Sequence, residues 1–118
     1  MKTEVAGQRV CDEDGRVLIP NLILAESTLE RMRGLLGRRG LPSDTAMLIR
    51  PCRSIHMFFM RFPIDAVFLD RDGRILKTHQ QLRPWRISLA PKKTHAVLEA
   101  KAGFIRAKSI AVGQNMIL

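Results

Sequence analysis

The chain has no tyrosine, one tryptophan and five phenylalanines. A core built from it is therefore mostly aliphatic, with methionine filling gaps. It also lacks any run near the roughly 20 apolar residues needed to cross a bilayer as a helix. Even VLIPNLILA is interrupted by Pro20 and Asn21. Only Cys11 and Cys52 carry thiols, and the opening MKTEVAGQRV has no apolar stretch of the signal-peptide kind. The expectation is a cytoplasmic protein with both thiols reduced and no membrane span.

Acidic residues are scarce beyond residue 30. Residues 1–30 hold three basic and six acidic groups, whereas residues 31–118 hold 17 basic and five acidic, a local balance of +12 within a net +9. Such a field attracts anions, whether nucleic acid, lipid or small molecules, and it also serves solubility. The phosphate-binding glycine loops are missing too. No G-x-G-x-x-G follows a strand and no G-x-x-x-x-G-K is present. Gly34, Gly37 and Gly40 recur every three residues, but inside or at the end of a helical pattern. Metal-ligand clusters are missing as well: Cys52 and His56 stand about 13 Å apart in an extended strand, and His79 and His95 are isolated. No metal, no cofactor and no recognisable catalytic motif is expected, and a Cys52 nucleophile has no base that the sequence places.

What is present fits one domain over residues 1–118. Hydrophobic residues make up 46%, enough to argue for a folded chain. Asp14-Gly15 marks a hairpin turn between a strand near Gln8–Cys11 and one over Arg16–Leu24, where Pro20 predicts an edge position or a bulge. Ser27 followed by Glu30 forms a capping box. Leu29, Met32 and Leu36 share a face, and Gly40 then Pro42 stop the helix. TAMLIRP reads as a strand. SIHMFFMRF reads as a strand buried on both faces, with a bend at Pro63. IDAVFLD and RILKTHQQL form a second hairpin around Asp72-Gly73. RPWRISLAPKKTH reads as a loop, AVLEA as a strand, and the C-terminal segment as turns, one helical turn and a last short strand. Seven to nine short antiparallel strands with one packed helix predict a mainly β fold, a β-sandwich or partly open barrel.

Asp65 lies in an apolar strand, and a buried carboxylate needs partners. Arg53, His56 and Arg61 are nearest in sequence. The four form a candidate pocket, or else a structural clamp in which Asp65 accepts backbone N–H groups. His56 is a candidate base because its pKa is naturally near neutral. Candidate anion contacts are Arg31, Arg33, Arg38 and Arg39 on the helix, and Arg83, Arg86, Lys92 and Lys93 around Trp85.

Three segments carry a family resemblance: TLERMRGLLGRRGL, HMFFMRFPIDAVFLDRDGRIL and VLEAKAGFIRAKSIAVGQ. They resemble the small bacterial and archaeal proteins known as domain of unknown function 192. The resemblance implies a compact, mainly β sandwich and brings no reaction or ligand with it. The family's signature positions fall on His56, Arg61 and Asp65 among the polar residues. Many members carry an export signal, which this N-terminus does not show. The leading expectation is a non-enzymatic binding or accessory module for a small anion or a protein partner. The alternatives are an acid–base enzyme using Asp65 and His56, and a basic protein that binds nucleic acid without sequence preference.

Overall fold

The structure is a computed structural model that describes residues 8–27, 39–52, 54–56 (backbone only) and 62–118. Nine strands are found among these residues: β1 Val10–Cys11, β2 Val17–Ile19, β3 Asn21–Ala25, β4 Thr45–Ile49, β5 Ser54–His56, β6 Ile64–Leu69, β7 Ile75–Leu82, β8 Ile87–Leu89 and β9 Ala96–Lys101. One short helix, α1, spans Phe104–Ala107. The expected helix from Ser27 to Gly40 falls mostly outside the described residues.

Five strands form a central sheet in the order β3-β4-β9-β6-β7, with the two-stranded ribbons β1-β2 and β5-β8 beside it. Neither the sheet nor the ribbons close, so the fold is mainly β and open. AVLEA, with the following lysine, becomes the middle strand β9. It is buried over Ala96–Ala100, as expected of a strand with neighbours on both sides and layers on both faces. β6 is likewise buried throughout.

One face of the sheet presents Leu48, Val67, Leu69, Leu98 and Ala100 to Val10 and Ile19 of the β1-β2 ribbon and to Phe104 and Ile105 of α1. The other face presents Met47, Ile49, Ile64, Ala66, Phe68 and Val97, with Cys52, Phe62 and Ala90 packed against it. Two aliphatic clusters, one per face, are what alternating side chains produce when a sheet is covered twice.

Pro20 divides the strand expected over Arg16–Leu24. Residues before it pair in the small ribbon, and residues after it form the edge strand β3. The missing N–H of proline ends one ladder where the next begins. β3 pairs with β4 in parallel, Asn21 opposite Thr45 and Ala25 opposite Ile49. This departs from the antiparallel expectation, because the connection from residue 26 to 44 is long enough for a crossover. RPWRISLAPKKTH is not wholly loop: its Ile87–Leu89 forms β8 and pairs with β5, His56 opposite Ile87. At the C-terminus the expected last strand is reduced to isolated bridges, Cys11 with Ile117 and Arg74 with Asn115.

The two D-x-D-G-R hairpins share one hydrogen-bond set. Asp12 Oδ1 accepts from the Asp14 and Arg16 amides, and Asp70 Oδ1 accepts from the Asp72 and Arg74 amides, all at 2.9 Å. Gly15 and Gly73 take φ of 86° and 89°, the left-handed conformation that glycine adopts without penalty.

Candidate functional site

Asp65 has no exposed surface. Its Oδ1 accepts the Gln81 amide at 2.9 Å, and its Oδ2 accepts the Gly103 and Ile105 amides at 3.1 and 2.9 Å. Gln81 sits where the β6–β7 register slips between Ile64 and Ala66, with φ of 52°. The carboxylate therefore ties a bulge in β7 to the first turn of α1, whose N-cap Gly103 has no side chain to do so. A carboxylate so enclosed offers no oxygen to a cavity. His56 lies in β5, and its side chain is outside the described residues, as are Arg53, Arg61, Arg31, Arg33 and Arg38. Arg39 is described and exposed.

The opposite face of the sheet holds a polar row that the sequence reading missed. Glu99 pairs across to Met47 and to Ala66, and Ala66 pairs across to His79, so all four side chains share one face. Glu99 is 5% exposed, and burial pushes its carboxyl up to about 7. Burial and the Lys77 ammonium hold His79 below its ordinary value, against an opposing pull from Asp65. The His79 ring nitrogen Nδ1 lies 2.9 Å from Ser88 Oγ. Lys77 donates to the Leu89 carbonyl at 2.6 Å and stands 5.2 Å from the Phe68 ring centre. These contacts fasten β8 over the sheet. An acid in the apolar AVLEA invites the same question as Asp65, and asking it would have found Glu99.

The open, charged site lies at one end of the central sheet, where β4 and β6 finish and β9 begins. Three loops meet there. The Cys52 amide donates to the His95 carbonyl, and the His95 amide donates to the Leu69 carbonyl, both at 2.8 Å. Between these anchors the chain turns through Pro91–Thr94, closed by the Thr94 amide on the Pro91 carbonyl at 3.3 Å. Lys93 takes φ of 73° within it, a conformation that costs a side-chain-bearing residue about 1 kcal/mol or more. The result is a cleft of about 490 Å3 lined by Cys52, Arg71, Lys92, Lys93, Thr94 and His95, among others. Arg71, Lys92 and Lys93 form no ion pair among the described residues. Thr94 is 8% exposed, and its Oγ1 is the one buried side-chain polar atom without a hydrogen-bond partner among the described residues. A second, larger and more apolar cleft of about 680 Å3 lies between Val17, Leu18, Pro20 and Phe104. It has no such orphaned group, and its Asp44 is already bonded to Asn21 and Thr45.

Of the expected anion contacts, Lys92 and Lys93 come together at the basic cleft. Arg83 and Arg86 stand exposed in the turn before β8, outside the cleft lining. Arg71, Thr94 and His95 were missed, because their meeting depends on which strand ends lie side by side.

An open β sheet flanked by two ribbons, with a basic cleft at one end, defines a mainly β fold. The chain belongs to the family of domain of unknown function 192, described as Uncharacterized ACR, whose profile matches residues 10–118. It is 32% identical over 98 residues to a UPF0127 protein of Thermococcus kodakarensis, covering 76% of this chain and 59% of that protein. It is 28% identical over 97 residues to a UPF0127 protein of Pyrococcus furiosus, covering 78% and 81%. A protein of unknown function from Novosphingobium aromaticivorans has the same fold, with a TM-score of 0.81 at 25% identity over 93% of this chain and 82% of that one. A Sinorhizobium meliloti protein whose name refers to transcription regulation matches with the same score and identity, over 92% and 89%. The chain thus spans about three fifths of the first relative's length, and the family has no specific function attached to it.

Proposed function

We propose that the chain is a non-enzymatic binding module for a small anion, bearing a phosphate or carboxylate, seated in the basic cleft. The observation that supports this most is Thr94 Oγ1, a buried hydroxyl without a hydrogen-bond partner among the described residues, in a residue that lines the cleft with Arg71, Lys92 and Lys93, which form no ion pair among those residues. An unpaired buried hydroxyl costs about 1–3 kcal/mol, a cost that a ligand oxygen at that position removes. Arg71 supplies a planar fork suited to two anion oxygens, and Lys92 and Lys93 supply point charges. The reading treats residues 1–118 as one domain in the cytoplasm. Neither Cys11 nor Cys52 is in a disulfide, which is consistent with that compartment. Non-specific nucleic-acid binding ranks lower, since the cleft has no phenylalanine, tyrosine or tryptophan on its lining to serve as a stacking platform.

Titration calorimetry with inorganic phosphate tests the reading on the wild type, a Lys92→Ala/Lys93→Ala double variant and Thr94→Val. The expected result is saturable binding that falls at least about tenfold in each variant. Thr94→Val alone should melt at or slightly above the wild-type temperature, because it removes an unsatisfied hydroxyl. Equal phosphate affinity in all three proteins would contradict the proposal, as would no binding to any of them.

A further inference from the structure

The strand that the sequence reading placed in a loop carries an unusual surface. Ser88 is buried, 2% exposed, and faces His79, so its neighbours in β8 face outward. Ile87 is 56% exposed, Leu89 70% and Trp85 59%. Ile87 and Leu89 are positions i and i+2 of β8 and lie on one side of it, and Trp85 stands two residues before the strand, in the turn that leads into it. Trp85 takes φ of 68°, a conformation rare for a bulky residue. The turn that holds it is closed by the Arg86 amide on the Arg83 carbonyl at 3.3 Å. Residues 83–95 also carry Arg83, Arg86, Lys92 and Lys93 and no aspartate or glutamate. All four cations are exposed.

We infer that the apolar ridge of Ile87 and Leu89, with Trp85 next to it along the chain, docks onto an anionic lipid surface, its apolar side chains entering the headgroup boundary and the four cations pairing with lipid phosphates. Three facts favour that occupant. A tryptophan beside branched aliphatics is the composition that partitions into a bilayer interface. A segment with four exposed cations and no acid is complementary to anionic headgroups. A second copy of the chain fits poorly, since a two-fold contact through this ridge sets four cations against four cations. Nucleic acid fits poorly too, because Trp85 offers a single ring and the exposed Ile87 and Leu89 beside it have none to stack on bases. The association inferred is peripheral, and no described helix is long and apolar enough to cross a membrane.

This inference does not rest on the cleft, although Lys92 and Lys93 serve both. Trp85 is the only tryptophan, so its emission reports the ridge directly. The experiment mixes the protein with vesicles of phosphatidylglycerol and phosphatidylcholine, or of phosphatidylcholine alone, and follows Trp85 emission and co-sedimentation. The expected result is a blue shift and co-sedimentation with the anionic vesicles, at least tenfold weaker with the neutral ones and falling as salt rises. Ile87→Asp and Leu89→Asp, both at exposed positions, should lose at least tenfold in vesicle binding while keeping the wild-type melting temperature and phosphate affinity. Failure of the wild type to sediment with anionic vesicles would overturn the inference. So would undiminished binding by both aspartate variants, or a blue shift that grows with protein concentration in the absence of lipid.

Discussion

At the scale of single residues, the buried carboxylates divide by what surrounds them. Asp65 has three amide donors, and their loss leaves backbone N–H groups buried and unpaired. Asp65→Ala is expected to destabilise the fold by more than about 2 kcal/mol, read as a shift in the urea midpoint. A midpoint at the wild-type position would contradict the clamp. Glu99 has burial and no hydrogen bond among the described residues to hold its charge, so its folded-state pKa lies at about 7 against 4.5 when free. The folded chain then holds its proton more tightly than the unfolded one. The associated stability is complete below about pH 4.5 and is lost as pH rises through about 7, on the order of 3 kcal/mol in all. His79 has the opposite sign. Its lowered pKa contributes stability that is present above about pH 6.5 and lost on acidification. Glu99→Gln should therefore gain stability relative to wild type as pH rises across that window, measured by urea midpoints of both proteins. A constant difference would show that Glu99 does not titrate in this way.

At the scale of elements, the two D-x-D-G-R turns make a controlled pair. Both glycines need positive φ, yet their surroundings differ. A Cβ at Gly15 would meet open space, whereas one at Gly73 would collide with the Met116 carbonyl oxygen. The Met116 amide donates to the Gly73 carbonyl at 2.8 Å, so the two backbones lie in close approach. Gly15→Ala is expected to cost about 1–2 kcal/mol from conformation alone. Gly73→Ala should cost at least about 1 kcal/mol more, and equal melting temperatures would contradict this. The hairpins were legible because Asp-Gly and alternating apolar residues act over a few positions. β9 was legible as a strand, but its central place was not, since strand order depends on contacts far apart in sequence. β8 was read as loop because three residues between two prolines carry too short a pattern. The parallel β3–β4 pair was hidden because it depends on a crossover whose path local sequence does not specify.

At the scale of the whole molecule, the positive field becomes usable where the fold gathers it. The +12 balance beyond residue 30 could be read from composition alone. The grouping of Arg71 with Lys92 and Lys93 could not, because Arg71 belongs to the β6–β7 turn and the lysines to the β8–β9 connection. Antiparallel pairing of β6 with β9 brings Leu69 opposite Ala96, and that register delivers both loops to one end of the sheet. The apolar ridge on β8 leads into the same connection, so the two proposed surfaces lie next to each other along the chain. The central claim is that the cleft binds an anion, and its most direct test is a nuclear magnetic resonance titration of the backbone amides with inorganic phosphate. Saturable shifts are expected at Arg71, Cys52 and Lys92 through His95, with the Gln81, Gly103 and Ile105 amides around Asp65 unmoved. Shifts confined to other surfaces, or none that saturate, would contradict the account.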